Sequence, residues 1–356
     1  MPTNTLLRQL GIEHPIILAP MAGGPSTPEL AAAVSNAGGL GSLGAAYLTP
    51  AQIKQEVTQT RSLTERPFAV NLFTGGREID RTVDPSPMLK IMTEVHAQLG
   101  LAPPELPAIP PDPLDQQLEA VLETRPAAFS FTFGMPNVPA ISRLKSRGIL
   151  VMGTATTVAE GRLLAEAGVD AIIAQGGEAG GHRGTFAGAF EESLLPTLDL
   201  VRGIASAVEL PVIASGGLMG GGDIARAIQA GASAAQIGTA FLLCPECGAS
   251  PAYKKSVLNA REDTTVITRA FSGRPARGLA NDFIRKLAGR ENVILPYPLQ
   301  NMLTRAMRTA AGKAGIAGYL SLWAGQGVAR LRQLPAGELV RTLVEEMTST
   351  SSLRSE

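Results

Sequence analysis

Short apolar runs recur along the chain, separated by polar, glycine-rich and proline-rich joints. Most of them are nearly continuous rather than alternating between apolar and polar residues, which is typical of strands covered on both faces. The pattern therefore predicts eight buried strands. They are HPIILAPM (14–21), GLGSLGAA (39–46), PFAVNLF (67–73), AAFSFTFG (127–134), ILVMGTA (149–155), AIIAQG (171–176), PVIASGG (211–217) and AAQIGTAF (234–241).

Segments with apolar residues at three- and four-residue spacing lie between most of these runs and predict helices. Three of them end on Ala-Gly just before a strand, at Gly38, Gly168 and Gly231. Only glycine adopts the left-handed conformation of a helix C-terminus at little cost, so these joints indicate one repeated βα unit. We therefore expect an α/β fold, a TIM (β/α)8 barrel whose site lies at the C-terminal strand ends. An open doubly wound sheet is the alternative.

Two stretches do not fit the repeat. Residues 75–126 are rich in proline and form an insertion between the third and fourth strands. Residues 245–356 have mostly helical and loop-like patterns, and they end in the polar segment TSTSSLRSE (348–356), which we expect to be frayed. The predicted organisation is a barrel over residues 1–244 and a smaller helical subdomain that flanks the barrel mouth. Whether the insertion acts as a lid stays open.

The charges of the chain cancel, with 31 basic and 31 acidic residues and no basic run, which argues against nucleic acid as a partner. No window reaches the ~18 uninterrupted apolar residues that a membrane-spanning helix needs. The 45% hydrophobic content, 39 glycines and 26 prolines suit a packed enzyme with many turns. We expect a cytoplasmic protein, and a homo-oligomer stays open.

The chain has two cysteines, Cys244 and Cys247, in the segment CPEC. One CxxC pair supplies half of a tetrahedral zinc site, and His14, His96 and His182 are all distant in sequence. The sequence thus predicts no metal site. Partly buried thiols near a strand end are favoured over a redox pair.

The segment AQGGEAGGHRG (174–184) follows the sixth predicted strand and carries His182. In a barrel this loop lies on the catalytic face, and histidine has the side chain that exchanges protons near neutral pH. His182 is therefore the candidate base or charge-stabilising group. Glu178 is either a competing acid-base group or a cap that binds backbone amides. Arg183 either meets an anionic substrate or lies in solvent.

Glycine-rich turns also follow the seventh and eighth strands, where barrels of this kind bind phosphate through backbone amides. Gly216, Gly217, Gly238 and Thr239 are the predicted cradle. The segment GGGDIA (220–225) matches GxGxxA but follows a spacer rather than the strand, so we discount a dinucleotide site. FMN, a nucleotide and a sugar phosphate all remain open as ligands.

The other strand ends carry Met21, Asn71, Thr132 and Gln175 rather than paired carboxylates or clustered metal ligands. This argues against metal-dependent hydrolysis and against two-carboxylate glycosidase chemistry. A cofactor must then carry the reaction, with the protein supplying position and hydrogen bonds.

Taken together, an ordered set of motifs resembles class I of the nitronate monooxygenase family, formerly called 2-nitropropane dioxygenases. The resemblance runs from about residue 10 to residue 330 and is specific as a set, although each motif is weak alone. The motifs are PIILAPMAGG, FAVNLF, FSFTFG, AQGGEAGGHRG, ASGGL, QIGTAFL, FSGRPARG and LWAGQG.

The resemblance implies a TIM barrel that binds FMN and a detoxifying oxidation of alkyl nitronates, such as propionate 3-nitronate, by O2 to a carbonyl compound and nitrite. His182 matches the active-site histidine of the family and would bind the anion, or act as a base towards a neutral nitroalkane. Tyr253 and Tyr297, with Met21, would shape the substrate pocket. Thr132 departs from the histidine of some members. The residues that would hold the flavin are Asn71, Gln175, Gly180, Gly216, Gly217, Gln236, Ile237, Gly238 and Thr239.

Two other functions stay open at this point. One is an FMN-dependent, NADH-using reductase of the same superfamily, acting on enoyl-acyl-carrier-protein or quinone substrates. The other is a barrel that binds a phosphate ligand without catalysis. An aldolase or isomerase is disfavoured because no lysine or carboxylate occurs at a predicted strand end.

Overall fold

A computed structural model describes residues 4–76, 83–262 and 264–352. All eight predicted runs form parallel strands of one sheet, and three further strands form a small antiparallel sheet. The strands are β1 (Ile16–Leu18), β2 (Gly41–Gly44), β3 (Phe68–Phe73), β4 (Ala128–Thr132), β5 (Leu150–Ala155), β6 (Ala171–Gln175), β7 (Gly181–His182), β8 (Val212–Ser215), β9 (Ala234–Ile237), β10 (Thr265–Thr268) and β11 (Ala276–Leu279).

The large sheet closes into a barrel. Its strand order is β1-β9-β8-β6-β5-β4-β3-β2. The two end strands meet at a parallel bridge between Ile17 and Leu40. Across this seam Leu18 N donates to Leu40 O at 2.8 Å and Leu40 N donates to Ile16 O at 2.9 Å. The TIM barrel is thus confirmed, and the open doubly wound sheet was the wrong alternative.

Helices cover the outside of the barrel, as the three- and four-residue apolar spacing between the strand runs predicts. The three joint glycines, Gly38, Gly168 and Gly231, have φ angles of +87°, +83° and +108°, as the sequence predicts. The helices are α1 (Thr5–Leu10), α2 (Pro28–Asn36), α3 (Pro50–Leu63), α4 (Ser86–Gln98), α5 (Leu114–Thr124), α6 (Val138–Ser146), α7 (Val158–Glu166), α8 (Thr197–Ala207), α9 (Gly221–Gln229), α10 (Pro251–Leu258), α11 (Asp282–Lys286), α12 (Leu299–Leu303), α13 (Arg305–Ala314) and α14 (Ala336–Ser352).

The barrel interior has its own apolar core. Side chains from around the sheet, such as Ile17, Met152 and Ile213, pack together with Leu6 and Leu10 of α1. The N-terminal helix therefore closes the barrel at one end. Successive strand side chains point to opposite faces, and the alternate residues join the larger core between sheet and helices.

The predicted insertion, residues 75–126, separates into two parts. Helix α5 packs on α3 and β3 as an ordinary barrel helix. Helix α4 instead packs through Met88, Met92 and Val95 against residues between 270 and 307, forming a separate small core. We call the part built on this core the cap. Residues 77–82 of the insertion lie outside the described residues.

Residues 245–356 differ from the predicted helical and loop-like pattern in two places. Strands β10 and β11 form an antiparallel sheet with β7, although only helical and loop-like structure was predicted after residue 244. The polar segment from residue 348 was expected to be frayed, yet it continues α14 to Ser352, and the last four residues lie outside the described ones. The domain boundary at residue 244 stays a prediction. In the described part of the chain, no helix is both long and apolar enough to cross a membrane.

Candidate functional site

A cavity of about 1300 Å³ opens at the C-terminal ends of the barrel strands, next to the cap. It is larger than the ~300–1,000 Å³ of a typical small-molecule site, so it has room for more than one ligand. The structure brings the whole predicted set of site residues to this cavity, and their individual roles stay predictions. The set is Met21, Asn71, Gln175, Gly180, His182, Gly216, Gly217, Gln236, Ile237, Gly238, Thr239, Tyr253 and Tyr297.

His182 lies on the two-residue strand β7, which pairs with Ala276 of β11. Its Nε2 is 2.8 Å from Ser272 Oγ, a hydrogen-bond distance. The imidazole packs against Phe133 and Trp323, with ring centroids 5.6 and 5.4 Å away. The barrel loop and strand β11 together hold the ring at the cavity wall.

Burial lowers the pKa of His182 to about 3, and the charges of Arg274 and Arg308 lower it further in the same direction. The imidazole is therefore neutral at neutral pH when no ligand is bound. A neutral ring is competent to accept a proton, and the positive potential at this wall comes from the two arginines.

Gln175 uses both ends of its amide to hold the loop that carries His182. Nε2 donates to His182 O at 2.9 Å, and Oε1 accepts a hydrogen bond from Gly184 N at 2.7 Å. Its predicted contact with a flavin is therefore an additional role for a side chain that already orders the loop.

Glu178 takes the second of its two predicted roles. Its Oε2 accepts hydrogen bonds from Thr197 N at 2.9 Å and Thr197 Oγ1 at 2.7 Å, at the start of α8. The carboxylate therefore caps backbone outside the cavity lining, because an unpaired amide at a helix start needs an acceptor. The role of a competing acid-base group was the wrong alternative.

Both predictions for Arg183 were wrong. The side chain is 1% exposed, so it neither lies in solvent nor reaches the cavity. Its guanidinium donates to three backbone oxygens, those of Gln175, Gly176 and Ser193, over 2.5 to 2.8 Å. A planar five-donor group suits several carbonyls at once, so Arg183 orders the loop behind His182.

The predicted phosphate cradle lies at the ends of β8 and β9. Gly216 and Gly217 have φ angles of +130° and +68°, which non-glycine residues rarely adopt. Within the described residues the N–H groups of Gly217, Gly238 and Thr239 donate to no protein acceptor. Arg330 holds the outer side of this loop by donating to Gly217 O at 2.9 Å. Residues with free amides thus line the cavity, as an anion site requires.

The first two amides of the discounted GGGDIA segment are already bonded within the protein. Gly220 N donates to Asp223 Oδ2 at 3.0 Å, and Gly221 N donates to Glu346 Oε2 of α14 at 2.8 Å. A methyl group on Gly221 would come within 2.3 Å of Leu343 O, so this glycine is explained by close helix packing.

The remaining predicted residues differ in the contacts that they already make within the protein. Tyr253 donates its hydroxyl to Trp323 O, so it shapes the cavity with its ring. Asn71 Nδ2 donates to Ser130 Oγ at 2.9 Å. The rings of Tyr297 and Phe133 lie 6.1 Å apart.

Cys244 and Cys247 are free thiols, 0% and 4% exposed, so the prediction of buried cysteines is confirmed. Burial raises the pKa of both thiols, that of Cys244 to about 12. Thiols in this state are poor nucleophiles. Among the described residues no group of three histidine, cysteine or acidic side chains is placed to hold a metal ion.

Tyr47 and Arg308 are among the cavity residues that the sequence did not predict. Tyr47 lines the cavity directly after the second strand, and its position at a strand end was the available signal. Arg308 lines it from the middle of α13, where no local pattern distinguishes it from a surface arginine.

Comparisons with known proteins identify the family of the chain. A family model described as nitronate monooxygenase matches residues 4–346. The chain belongs to the nitronate monooxygenase family. It is therefore an enzyme, an oxidoreductase, and the alternative of a barrel that only binds a ligand is set aside.

Individual relatives extend over nearly the full chain. The nitronate monooxygenase of Pseudomonas aeruginosa is 44% identical over 349 residues, covering 97% of this chain and 99% of its own. The crystal structure of nitroalkane oxidase from Streptomyces ansochromogenes is similar with a TM-score of 0.92 and 41% identity, over 98% of this chain and 99% of its own. FabK from Thermotoga maritima has a TM-score of 0.76 and 28% identity, over 98% of each chain.

Proposed function

We propose that the enzyme oxidises alkyl nitronates, such as propionate 3-nitronate, with O2 to a carbonyl compound and nitrite, using bound FMN. The observation that carries the proposal is that one cavity joins an amide cradle to His182. Ligands held at these two places would share the cavity, as a flavin and its substrate must. The family membership supports the same reaction class.

The residues at the cradle fit FMN. The free amides at Gly217, Gly238 and Thr239 suit a phosphate group, and positive-φ glycines let the backbone approach it. Close approach is also needed at Gly180, where a methyl group would come within 2.5 Å of Gly325 N. The polar side chains of Asn71 and Gln236 face the same space and suit the edge of a ring system.

When bound, FMN would supply the redox chemistry that no side chain of the cavity supplies. The protein itself would bind the nitronate close to His182 and Ser272. A nitronate has already lost its carbon-bound proton, so the neutral imidazole needs only to donate a hydrogen bond to it. A neutral nitroalkane still has that proton, and His182 would accept it.

The absorbance spectrum of the purified protein, taken before and after anaerobic addition of ethyl nitronate, tests cofactor and substrate together. We expect flavin absorbance in the purified protein and its loss when the nitronate is added, with no rapid loss on addition of NADH. The NADH arm is included because FabK shares the fold over 98% of both chains.

The opposite outcomes separate the alternatives. Rapid loss of flavin absorbance with NADH but not with nitronate would favour the reductase. A colourless protein that does not take up added FMN would contradict the proposed cofactor.

A further inference from the structure

A short segment near the C-terminus, GQGVAR (325–330), bonds to three loops of the barrel mouth. We call this segment the clasp. Its Gly325 N donates to Thr239 Oγ1 at 3.0 Å, in the loop after β9. Its Gln326 N donates to Glu178 O at 3.0 Å, in the loop after β6. Two of the three loops are therefore bonded to consecutive backbone amides of one segment.

The third contact of the clasp is the side chain of Arg330, which binds the turn after β8. Its Nη2 donates to Gly217 O at 2.9 Å, and its Nη1 donates to Asp223 Oδ2 at 2.9 Å. The same carboxylate oxygen accepts hydrogen bonds from Met219 N at 2.8 Å and Gly220 N at 3.0 Å. The arginine and the carboxylate together hold both ends of the turn.

The clasp lies so close to the loop after β6 that Gly325 has no room for a side chain. A methyl group on Gly325 would come within 2.7 Å of Glu178 O and 3.1 Å of Gly180 N. Its φ angle is −80°, an ordinary extended conformation, so close contact and not backbone conformation requires glycine here. Val328 is 1% exposed and packs in the core between sheet and helices. The clasp is therefore fixed both to the core and to the loops.

The loops after β8 and β9 carry the donors that we assign to the flavin phosphate. Within the described part of the chain, the N–H groups of Gly217, Gly238 and Thr239 bind no protein acceptor. The Thr239 hydroxyl accepts from Gly325 N, and its hydrogen also has no acceptor there. A hydroxyl has one hydrogen and two lone pairs, so this bond leaves the hydrogen available to a ligand. Loops that are already held in place lose less entropy when a ligand binds.

We propose that the clasp is a cofactor-positioning element, which holds the loops after β8 and β9 so that their amides and the Thr239 hydroxyl bind the phosphate of FMN. Arg330 is then a positioning residue that acts through Gly217 and does not touch the ligand. This inference rests on the proposed function, because it takes FMN as the cofactor. It adds that selection of FMN over riboflavin, the same flavin without the phosphate, depends on a side chain 113 residues away from the turn in sequence.

Titration of the apoprotein with FMN and with riboflavin, followed by flavin fluorescence, tests the role of Arg330. For Arg330→Met we expect the Kd for FMN to rise about tenfold, the effect of losing a hydrogen bond from a charged group. The Kd for riboflavin should stay at its wild-type value, because riboflavin has no phosphate for the turn to bind.

Arg226→Met is the matched control for this substitution. Arg226 and Arg330 both pair with Asp223, and both side chains are 51% exposed. Among the described residues only Arg330 also donates to Gly217 O. The control therefore removes a similar charge without releasing the turn, and neither Kd should change.

Gly325→Ala tests the backbone of the clasp without a change of charge. The added methyl group should move Gly325 N away from Thr239 Oγ1, so the Kd for FMN should rise about fivefold more than that for riboflavin. Gly337→Ala is the control, since a methyl group there meets no atom closer than 3.7 Å.

The two flavins separate a role at the phosphate from a general role in folding. An FMN Kd that either clasp variant leaves unchanged would overturn the clasp while the proposed function stands. Equal losses of affinity for FMN and riboflavin would also overturn it, because they would show damage to the fold and not to the phosphate site. A wild-type protein that binds neither flavin would contradict the proposed function itself.

Discussion

The environment of His182 decides what this side chain does. An unperturbed imidazole has a pKa of about 6.5, but burial and two arginine charges lower that of His182 to about 3. An anion placed ~4 Å away would stabilise the imidazolium by about 4 kcal/mol at an effective dielectric constant of ~20, which corresponds to about three pKa units. The bound nitronate itself would therefore return His182 to its ordinary range, so protonation is coupled to substrate binding.

Substitution of His182 by asparagine separates the two substrate forms. We expect kcat/KM for neutral nitroethane to fall about 10²- to 10⁴-fold, the usual contribution of a general base, and that for preformed ethyl nitronate to fall much less. Oxygen consumption measures both. Since kcat/KM reports the free enzyme, the wild-type profile for nitroethane should show no loss from His182 protonation as the pH falls from 8 to 5. Equal losses for the two forms would contradict the role as base.

Three side chains outside the cavity lining help to order the loops at the barrel mouth. Arg183 and Glu178 hold the loop around His182 by binding backbone, and Arg330 does the same for the turn after β8. These side chains bond to backbone amides and carbonyls on the side of the loops away from the cavity. Other backbone amides stay free on the cavity side. The turn at Gly217 depends additionally on its positive φ angle.

The substitution Gly217→Ala tests this turn, and the same substitution at Gly100 is the control. Gly217 and Gly100 both have φ +68°, so alanine at either position should cost a similar ~1 to 2 kcal/mol of backbone strain. A methyl group on Gly217 would lie 3.0 Å from Glu178 Cβ, whereas on Gly100 it meets no atom within 4 Å. We expect FMN affinity to fall at least about tenfold only in Gly217→Ala, measured by fluorescence titration of the apoprotein. Equal FMN affinities in the two variants would argue against the cradle.

The whole molecule depends on packing between parts that are far apart in sequence. Helix α14 packs on α9 and α2 and so belongs to the outer layer of the barrel, although it follows the cap in the chain. Its Leu339, Val340 and Leu343 are 0 to 1% exposed. The C-terminal helix therefore contributes to the stability of the fold, and not to the cap.

Truncation of Leu343 measures this contribution. We expect Leu343→Ala to lower the free energy of unfolding by about 2 to 5 kcal/mol, because it removes buried methyl groups and leaves a cavity between α14 and α9. Urea denaturation followed by circular dichroism gives the value. Glu345→Ala, an exposed position of the same helix, should change it by less than about 0.5 kcal/mol. A Leu343→Ala protein as stable as the wild type would show that α14 does not contribute to folding.

The sequence by itself determined the features of this protein that depend on residues close together in the chain. Buried strands appear as continuous apolar runs, and helix ends that need a left-handed residue appear as glycines such as Gly38 and Gly231, so the barrel and its strand ends were predictable. The cavity-lining positions of His182 and Gly217 followed from them, because all C-terminal strand ends meet at one mouth.

Only the tertiary structure decided the rest, since a partner that is distant in sequence leaves no periodic signal. Strand β7 exists because His182 pairs with Ala276 of β11, and no two-residue segment predicts a strand alone. The loop-ordering role of Arg183 depends on which groups surround its guanidinium. Burial and neighbouring charges set the function of these side chains, and both arise only when the chain is folded.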